Sequence, residues 1–209
     1  MRRVVLSVTL RAPLCAMLLG GLAASPVQAT TLLVLGDSIS AGYNMNQEQG
    51  WVALLDQALP DEIKVVNASV SGETSAGGLK RLPALLNSHN PDWVIVELGG
   101  NDGLRGYAPA MLLQNLQAIT TTATQSGSQV ILVDMQIPPN YGPRYTKQFS
   151  AVYQQLAQKQ QLPLVENFIQ TVALKPELMQ DDGVHPNEQA QPLLMQRVLN
   201  TLQQLKIAP

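Results

Sequence analysis

A chain of 209 residues that is 45% hydrophobic and 13% charged holds enough apolar material for one buried core, which excludes a disordered, fibrous or collagenous protein. Its formal charge of −2, with more acids than bases, does not suit a phosphate-tracking surface, so nucleic acid is not an expected partner. Its single cysteine, Cys15, excludes a disulfide scaffold.

The first segment, MRRVVLSVTLRAPLCAMLLGGLAASPVQA, opens on Arg2 and Arg3, runs through an apolar stretch and closes on the small-residue pattern Val27, Gln28, Ala29. That layout predicts an export signal over residues 1–29, cleaved after Ala29, with residues 30–209 as the mature domain. A membrane anchor is the competing reading, but Arg11 and Pro13 interrupt the apolar run and leave it below the ~20 residues that span a bilayer. Leu14 precedes Cys15 where lipid attachment would want a small residue. Removing this segment takes away three arginines and no acid, leaving ten basic against fifteen acidic residues. The expected product is a cysteine-free periplasmic or secreted protein whose covalent chemistry must use another nucleophile.

From Thr31 onward, short β-rich runs alternate with longer helical patterns. The strand TLLVL (31–35) is followed by a helix over GWVALLDQAL (50–59), the strand IKVVN (63–67) by a helix over GLKRLPALLNSH (78–89), and the strand DWVIVEL (92–98) by MLLQNLQAITTTAT (111–124). The strand QVILVDM (129–135) then leads to FSAVYQQLAQKQ (149–160), and the short strand LPLV (162–165) precedes a last helix over EQAQPLLMQRVLNTLQQL (188–205). Pro83 and Pro192 fall inside these helices and are expected to kink or shorten them. Continuously apolar strands joined by helical crossovers predict a parallel sheet covered on both faces, a three-layer α/β/α domain.

In such sheets ligands gather beyond the carboxyl ends of the strands, and the distinctive motifs all fall there. Gly36–Ser40 follow the first strand, Ala68–Gly72 the second and Gly99–Asn101 the third, while Asp181–His185 precede the last helix. Only His89 and His185 can act as a base near neutrality. His89 ends a helical pattern at the opposite end of the sheet, where a helix-terminal histidine needs no chemistry. His185 lies three residues after Asp182, with Gly183 permitting a tight turn between them. Ser38, in LGDSISAG, reads either as a helix cap or as a nucleophile activated by His185, with Asp182 orienting the ring. Gly72 and Asn101 read either as turn residues or as donors to a developing oxyanion, together with the Ser38 amide.

Taken together, Ser38 in GDSIS, Gly72 in NASVSGETS, Asn101 in GGND and His185 in DDGVHP resemble the four signature blocks of the SGNH hydrolases, the GDSL lipase/esterase superfamily. The likeness spans nearly the whole mature chain. Through VELGGNDGLRG, NYGPRY and MQDDGVHPN it is most similar to the periplasmic group described as acyl-CoA thioesterase, arylesterase and lysophospholipase. Ile39 stands where the superfamily's name has leucine, a change of shape at nearly constant volume. The resemblance implies a flavodoxin-like five-stranded sheet in the order 2-1-3-4-5 with a shallow, open site. It also implies an ester and thioester hydrolase that works through an acyl-enzyme without metal or organic cofactor. Asp182 would be the triad acid, and Ser38, Gly72 and Asn101 would form the oxyanion hole.

The segment GLRGYAP (103–109), with Leu104 and Tyr107, is a candidate lid or an ordinary connector. Ile137, Pro138 and Tyr141, after the fourth strand, are candidates for an apolar acyl wall. The expected partner is a small-molecule or lipid ester, with no membrane insertion once the signal is removed, and nothing in the sequence demands more than a monomer. Competing readings are a carbohydrate acetylesterase on the same fold and a periplasmic binding protein without turnover. A third is a metal-dependent phosphatase built on Asp37, Asp102, Asp181, Asp182 and His185, for which the chain is poor in imidazole and thiolate.

Overall fold

The structure, a computed structural model, describes residues 29–209, so the export signal expected over residues 1–29 lies outside the described residues except for Ala29. The chain runs β1 (Thr30–Gly36), α1 (Ser38–Ala41), α2 (Trp51–Ala58), β2 (Ile63–Asn67), α3 (Ser75–His89), β3 (Trp93–Glu97) and α4 (Gly100–Leu104). It continues through α5 (Pro109–Gln125), β4 (Gln129–Val133), α6 (Pro143–Gln160), β5 (Leu164–Val165), α7 (Gln170–Ala173) and α8 (Gln191–Gln204).

The strands form one sheet in the order β2-β1-β3-β4-β5, and every neighbouring pair is parallel. In the centre, Leu33 of β1 lies between Val66 of β2 and Val94 of β3. α2 and α8 pack together on one face, while α5 packs between α3 and α6 on the other. Covering both faces explains why Leu32 through Leu35 can be apolar without alternation: each has no exposed surface, and each such burial stabilises the fold by roughly 1.5–3 kcal/mol. Trp51 of α2 meets Phe168 edge-on at 5.6 Å, and Phe149 and Tyr153 of α6 meet at 5.8 Å beneath the opposite layer.

Several helix boundaries differ from the sequence pattern, each for a local reason. α3 begins at Ser75, three residues early, because Thr74 caps it by accepting from the Gly77 N–H. Pro83 does not break α3; it sits on the exposed face, where the carbonyl it leaves without a donor can meet water. α6 starts at Pro143 rather than Phe149, with proline at a helical position that has no intrahelical donor to lose. The same holds for Pro192 in the first turn of α8, which is preceded by a separate 3-10 turn over Glu188–Ala190.

Candidate active site

β1 ends on Gly36, and a side chain there would not fit: a Cβ would come within 2.6 Å of the Ser40 Cβ and 2.8 Å of a Glu97 oxygen. The next residue, Asp37, rather than Ser38, caps α1, its Oδ1 accepting from the Ile39 N–H at 3.0 Å. The choice left open for Ser38 therefore falls away from capping, and its buried hydroxyl points elsewhere. Ser38 Oγ lies 2.9 Å from His185 Nε2, and His185 Nδ1 lies 2.7 Å from Asp182 Oδ2.

The loop that carries His185 is built to hold that ring. Gly183 takes a positive φ of 66°, which lets the chain turn back so that Asp182 Oδ1 accepts from the N–H groups of Val184 and His185, both at 2.9 Å. Partial burial pushes the Asp182 pKa up, but the His185 N–H, the His185 ring and the Val184 N–H outweigh it and hold the group at about 2. Tyr43 lies against the imidazole with ring centres 4.5 Å apart and the ring planes tilted by 36°. Gln180 fastens the same loop, donating to the Tyr43 carbonyl at 2.9 Å and to the Pro186 carbonyl at 3.1 Å. Gln191 ties its far side, accepting from the Trp51 N–H at 3.0 Å and donating to the Asn187 carbonyl at 3.2 Å.

The segment after β2 is laid along the end of β1, with the Ala68 N–H on the Val34 carbonyl (2.9 Å) and the Val70 N–H on the Gly36 carbonyl (3.1 Å). Gly72 follows with φ of 77°, and its carbonyl accepts from the Arg105 guanidinium at 3.1 Å. Asn101 stands in the first turn of α4, an element that the glycines of GGNDG conceal from a periodicity reading. Its Nδ2 donates one hydrogen to Asp37 Oδ2 at 3.2 Å, leaving the second hydrogen for a ligand.

Behind these groups lies a second buried acid. Glu97, at the end of β3, has no exposed surface, and its Oε2 accepts from the Ser40 hydroxyl at 2.5 Å and the Asp37 N–H at 3.2 Å. Burial pushes the Glu97 carboxyl well above the usual range, and the neighbouring Asp37 carboxylate pushes the same way. Burial likewise raises Asp37 to about 6, against the opposing hydrogen bonds from Ile39 and Asn101.

Three of the four carboxylates considered as metal ligands have other commitments, Asp182 on the His185 turn among them. Asp37 serves Ile39 and Asn101, and Asp102 accepts from the Ser75 N–H (2.8 Å) and hydroxyl (2.5 Å). Among the described residues no three His, Cys, Asp or Glu side chains gather closely enough to hold a metal ion. His89 ends α3 at the far end of the sheet, away from the cluster.

A cavity of about 620 Å³ opens at Ser38, Asn101 and His185, lined by Ile39, Leu104, Met135, Ile137 and Pro138 and by Ile169, Leu174, Met179 and Val184. Leu104, Ile137 and Pro138 are thus at the cavity, whereas Tyr107 and Tyr141 are not among its lining residues. Tyr141 instead donates to the Leu104 carbonyl at 2.8 Å, and the Tyr145 hydroxyl donates to the Tyr107 carbonyl at 2.6 Å. The segment 103–109 is therefore the end of α4 and a turn, tied down by two tyrosines. Sequence reasoning missed Tyr43, Gln180, Gln191 and Glu97, and the wall supplied by Ile169, Leu174 and Met179. Only Glu97 carried a signal, as an acid inside an otherwise apolar strand.

The chain is similar to known proteins over most of its length. It is 53% identical over 180 residues to esterase TesA of Pseudomonas aeruginosa, covering 85% of this chain and 90% of that protein. It is 49% identical over 177 residues to thioesterase 1/protease 1/lysophospholipase L1 of Escherichia coli, covering 85% of each. The crystal structure of the psychrotrophic esterase EstA from Pseudoalteromonas sp., inhibited by monoethylphosphonate, superposes with a TM-score of 0.80 at 42% identity over 84% of this chain and 98% of that one. Residues 34–192, which include every residue of the Ser38 cluster, match the model of one family. The chain belongs to the GDSL-like lipase/acylhydrolase family.

Proposed function

We propose that this protein is an exported serine hydrolase of carboxylic esters and thioesters with an apolar acyl part, with Ser38, His185 and Asp182 as its triad. The observation that carries the reading is the pair of contacts joining three side chains from opposite ends of the chain, 2.9 Å from Ser38 to His185 and 2.7 Å from His185 to Asp182. A serine hydroxyl is a weak nucleophile until a base accepts its proton. His185 Nε2 takes that proton as Oγ attacks the carbonyl carbon, while Asp182 holds Nδ1–H and stabilises the imidazolium. The oxyanion receives the N–H groups of Ser38 and Gly72 and the free carboxamide hydrogen of Asn101, each worth roughly 3 kcal/mol in the transition state. His185 then gives the proton to the departing alcohol or thiol, and water activated by the same ring releases the acid from the acyl-enzyme.

The apolar lining of the cavity supports an acyl chain as the part recognised, each buried methylene contributing roughly 0.8 kcal/mol. The relatives named as esterase and as thioesterase/lysophospholipase support esters, thioesters and lysophospholipids as the substrate range. Ser38→Ala is expected to abolish p-nitrophenyl ester hydrolysis with an unchanged circular dichroism spectrum, and a phosphonate ester is expected to label Ser38 in the parent. Undiminished turnover by the variant overturns the assignment. Export is tested by fractionation and N-terminal sequencing: the periplasmic product is expected to begin at Thr30, and a cytoplasmic product retaining Arg2 overturns it.

A further inference from the structure

Parallel strands put all their carboxyl ends on one side, and the apolar surface of the molecule is concentrated there. Among the described residues seven large hydrophobic side chains are exposed, and six of them (Tyr43, Val70, Tyr107, Met111, Tyr141 and Leu174) follow the carboxyl ends of the strands. The connections entering β2, β3, β4 and β5 at the opposite end expose none, and carry the exposed acids Asp61, Glu62 and Asp92 instead. Scattered exposed hydrophobics need no explanation; a one-sided set around a cavity mouth does.

Charge divides that face in two. The acids Asp181 and Glu188 gather beside Tyr43 on the loop that carries His185. On the other side, residues 136–150 contain Arg144 and Lys147 and no acid, and both cations are exposed. The only acid between Gly99 and Pro109 is Asp102, buried on Ser75. Leu174 is 78% exposed yet lines the cavity, as does Lys147. The exposed Lys175 that follows Leu174 instead lines a separate groove with Glu166 and lies two residues before the exposed Glu177, so the cationic side is that of residues 136–150.

We propose that the half of the catalytic face formed by Tyr107, Tyr141, Leu174, Arg144 and Lys147 docks on anionic phospholipid surfaces. The inference rests on the lipid-ester reading above and adds where such a substrate is collected. Cations flanking exposed aromatic and aliphatic side chains match phosphate oxygens above acyl chains. The acids beside Tyr43 are held away from the surface, which fixes the tilt in an otherwise acidic protein. Because Leu174 and Lys147 belong both to this patch and to the cavity wall, an acyl chain passes from the lipid into the cavity without crossing water.

The test is vesicle co-sedimentation of the processed protein carrying Ser38→Ala, whose residues 30–209 hold every strand and helix described above, so that no lipid is consumed. Vesicles of equimolar phosphatidylglycerol and phosphatidylcholine are expected to bind it, and phosphatidylcholine alone far more weakly. Adding Arg144→Glu is expected to lower partitioning about fivefold or more, at roughly fivefold per cation lost. The same charge reversal in protein retaining Ser38 is expected to leave hydrolysis of a soluble short-chain ester unchanged. Absence of binding by the parent, or equal binding by parent and charge-reversed protein, overturns the proposal. Failure of the hydrolase reading shows separately, as absence of soluble-ester turnover in the protein that keeps Ser38.

Discussion

Replacing Asp37 with asparagine asks how the Asn101 carboxamide is aimed. Asp37 uses both oxygens as acceptors, Oδ1 from Ile39 at 3.0 Å and Oδ2 from Asn101 at 3.2 Å. Asparagine has one acceptor, so the variant loses either the cap of α1 or the tether to Asn101, and its own NH2 then faces a donor. A hydrogen bond to a charged group contributes roughly 1.5–3 kcal/mol, and removing a whole oxyanion donor costs about 10²–10³ in kcat. Since Asp37→Asn misaims the donor without deleting it, kcat on a short-chain p-nitrophenyl ester is expected to fall about tenfold to a hundredfold with KM nearly unchanged. Stability moves the other way. Burial raises Asp37 to about 6 from the ordinary 3.8, so its stabilising contribution is complete below pH 3.8 and gone once the pH has risen through about 6. Above that, the buried charge destabilises the fold relative to the neutral acid, so at pH 8 the variant is expected to melt no lower than the parent. Combining Asp37→Asn with Asn101→Ala is expected to be no slower than Asn101→Ala alone, because both act through one donor. Losses that multiply in the double variant, or full kcat in Asp37→Asn, would refute the tether.

Asp182→Asn is expected to lower kcat on the order of 10³-fold or more, because the ring loses the acceptor that fixes its tautomer. The Asp182 carboxyl, held at about 2, is expected to titrate there by carbon-detected NMR. Its contribution to stability is present above the ordinary 3.8 and fades as the pH falls through about 2; a midpoint at 3.8 would contradict the bonds described. Tyr145→Phe removes the 2.6 Å bond to the Tyr107 carbonyl, at about 1 kcal/mol. Amide exchange in residues 104–108 is then expected to quicken about fivefold, and unchanged exchange would show that this turn is held by other contacts.

The layering was legible in the sequence because uninterrupted runs such as LLVL in β1 and VIV in β3 have one economical explanation, burial on both faces. The placement of Ser38 and Asn101 at one cavity was legible because each stands just past a strand that could be recognised. The short helices were not. α1 and α4 are four and five residues long, too short to show a period, and α4 starts behind Gly99 with φ of 119°. The supports of His185 were hidden for another reason. Tyr43 lies far from it in sequence, and neither local pattern nor composition reveals a tilted ring packed against it or a glutamine bonded across the fold. Tyr141, a candidate for the acyl wall, instead donates its hydroxyl hydrogen to the Leu104 carbonyl; a tyrosine shows its ring in the sequence but not where its hydroxyl points.

Asp182 and His185 share one turn, joined both through the ring and through backbone N–H groups, so the proposed base and its orienter travel as a single piece. That piece is moored by Gln180 at Tyr43 and by Gln191 at the start of α2. In the mechanism proposed, the one gap that must stay closed is that between Ser38 and the moored turn. On a thermal ramp the rate is therefore expected to fall before the ellipticity, as the moorings slip while the sheet stays whole, and to recover on cooling without refolding.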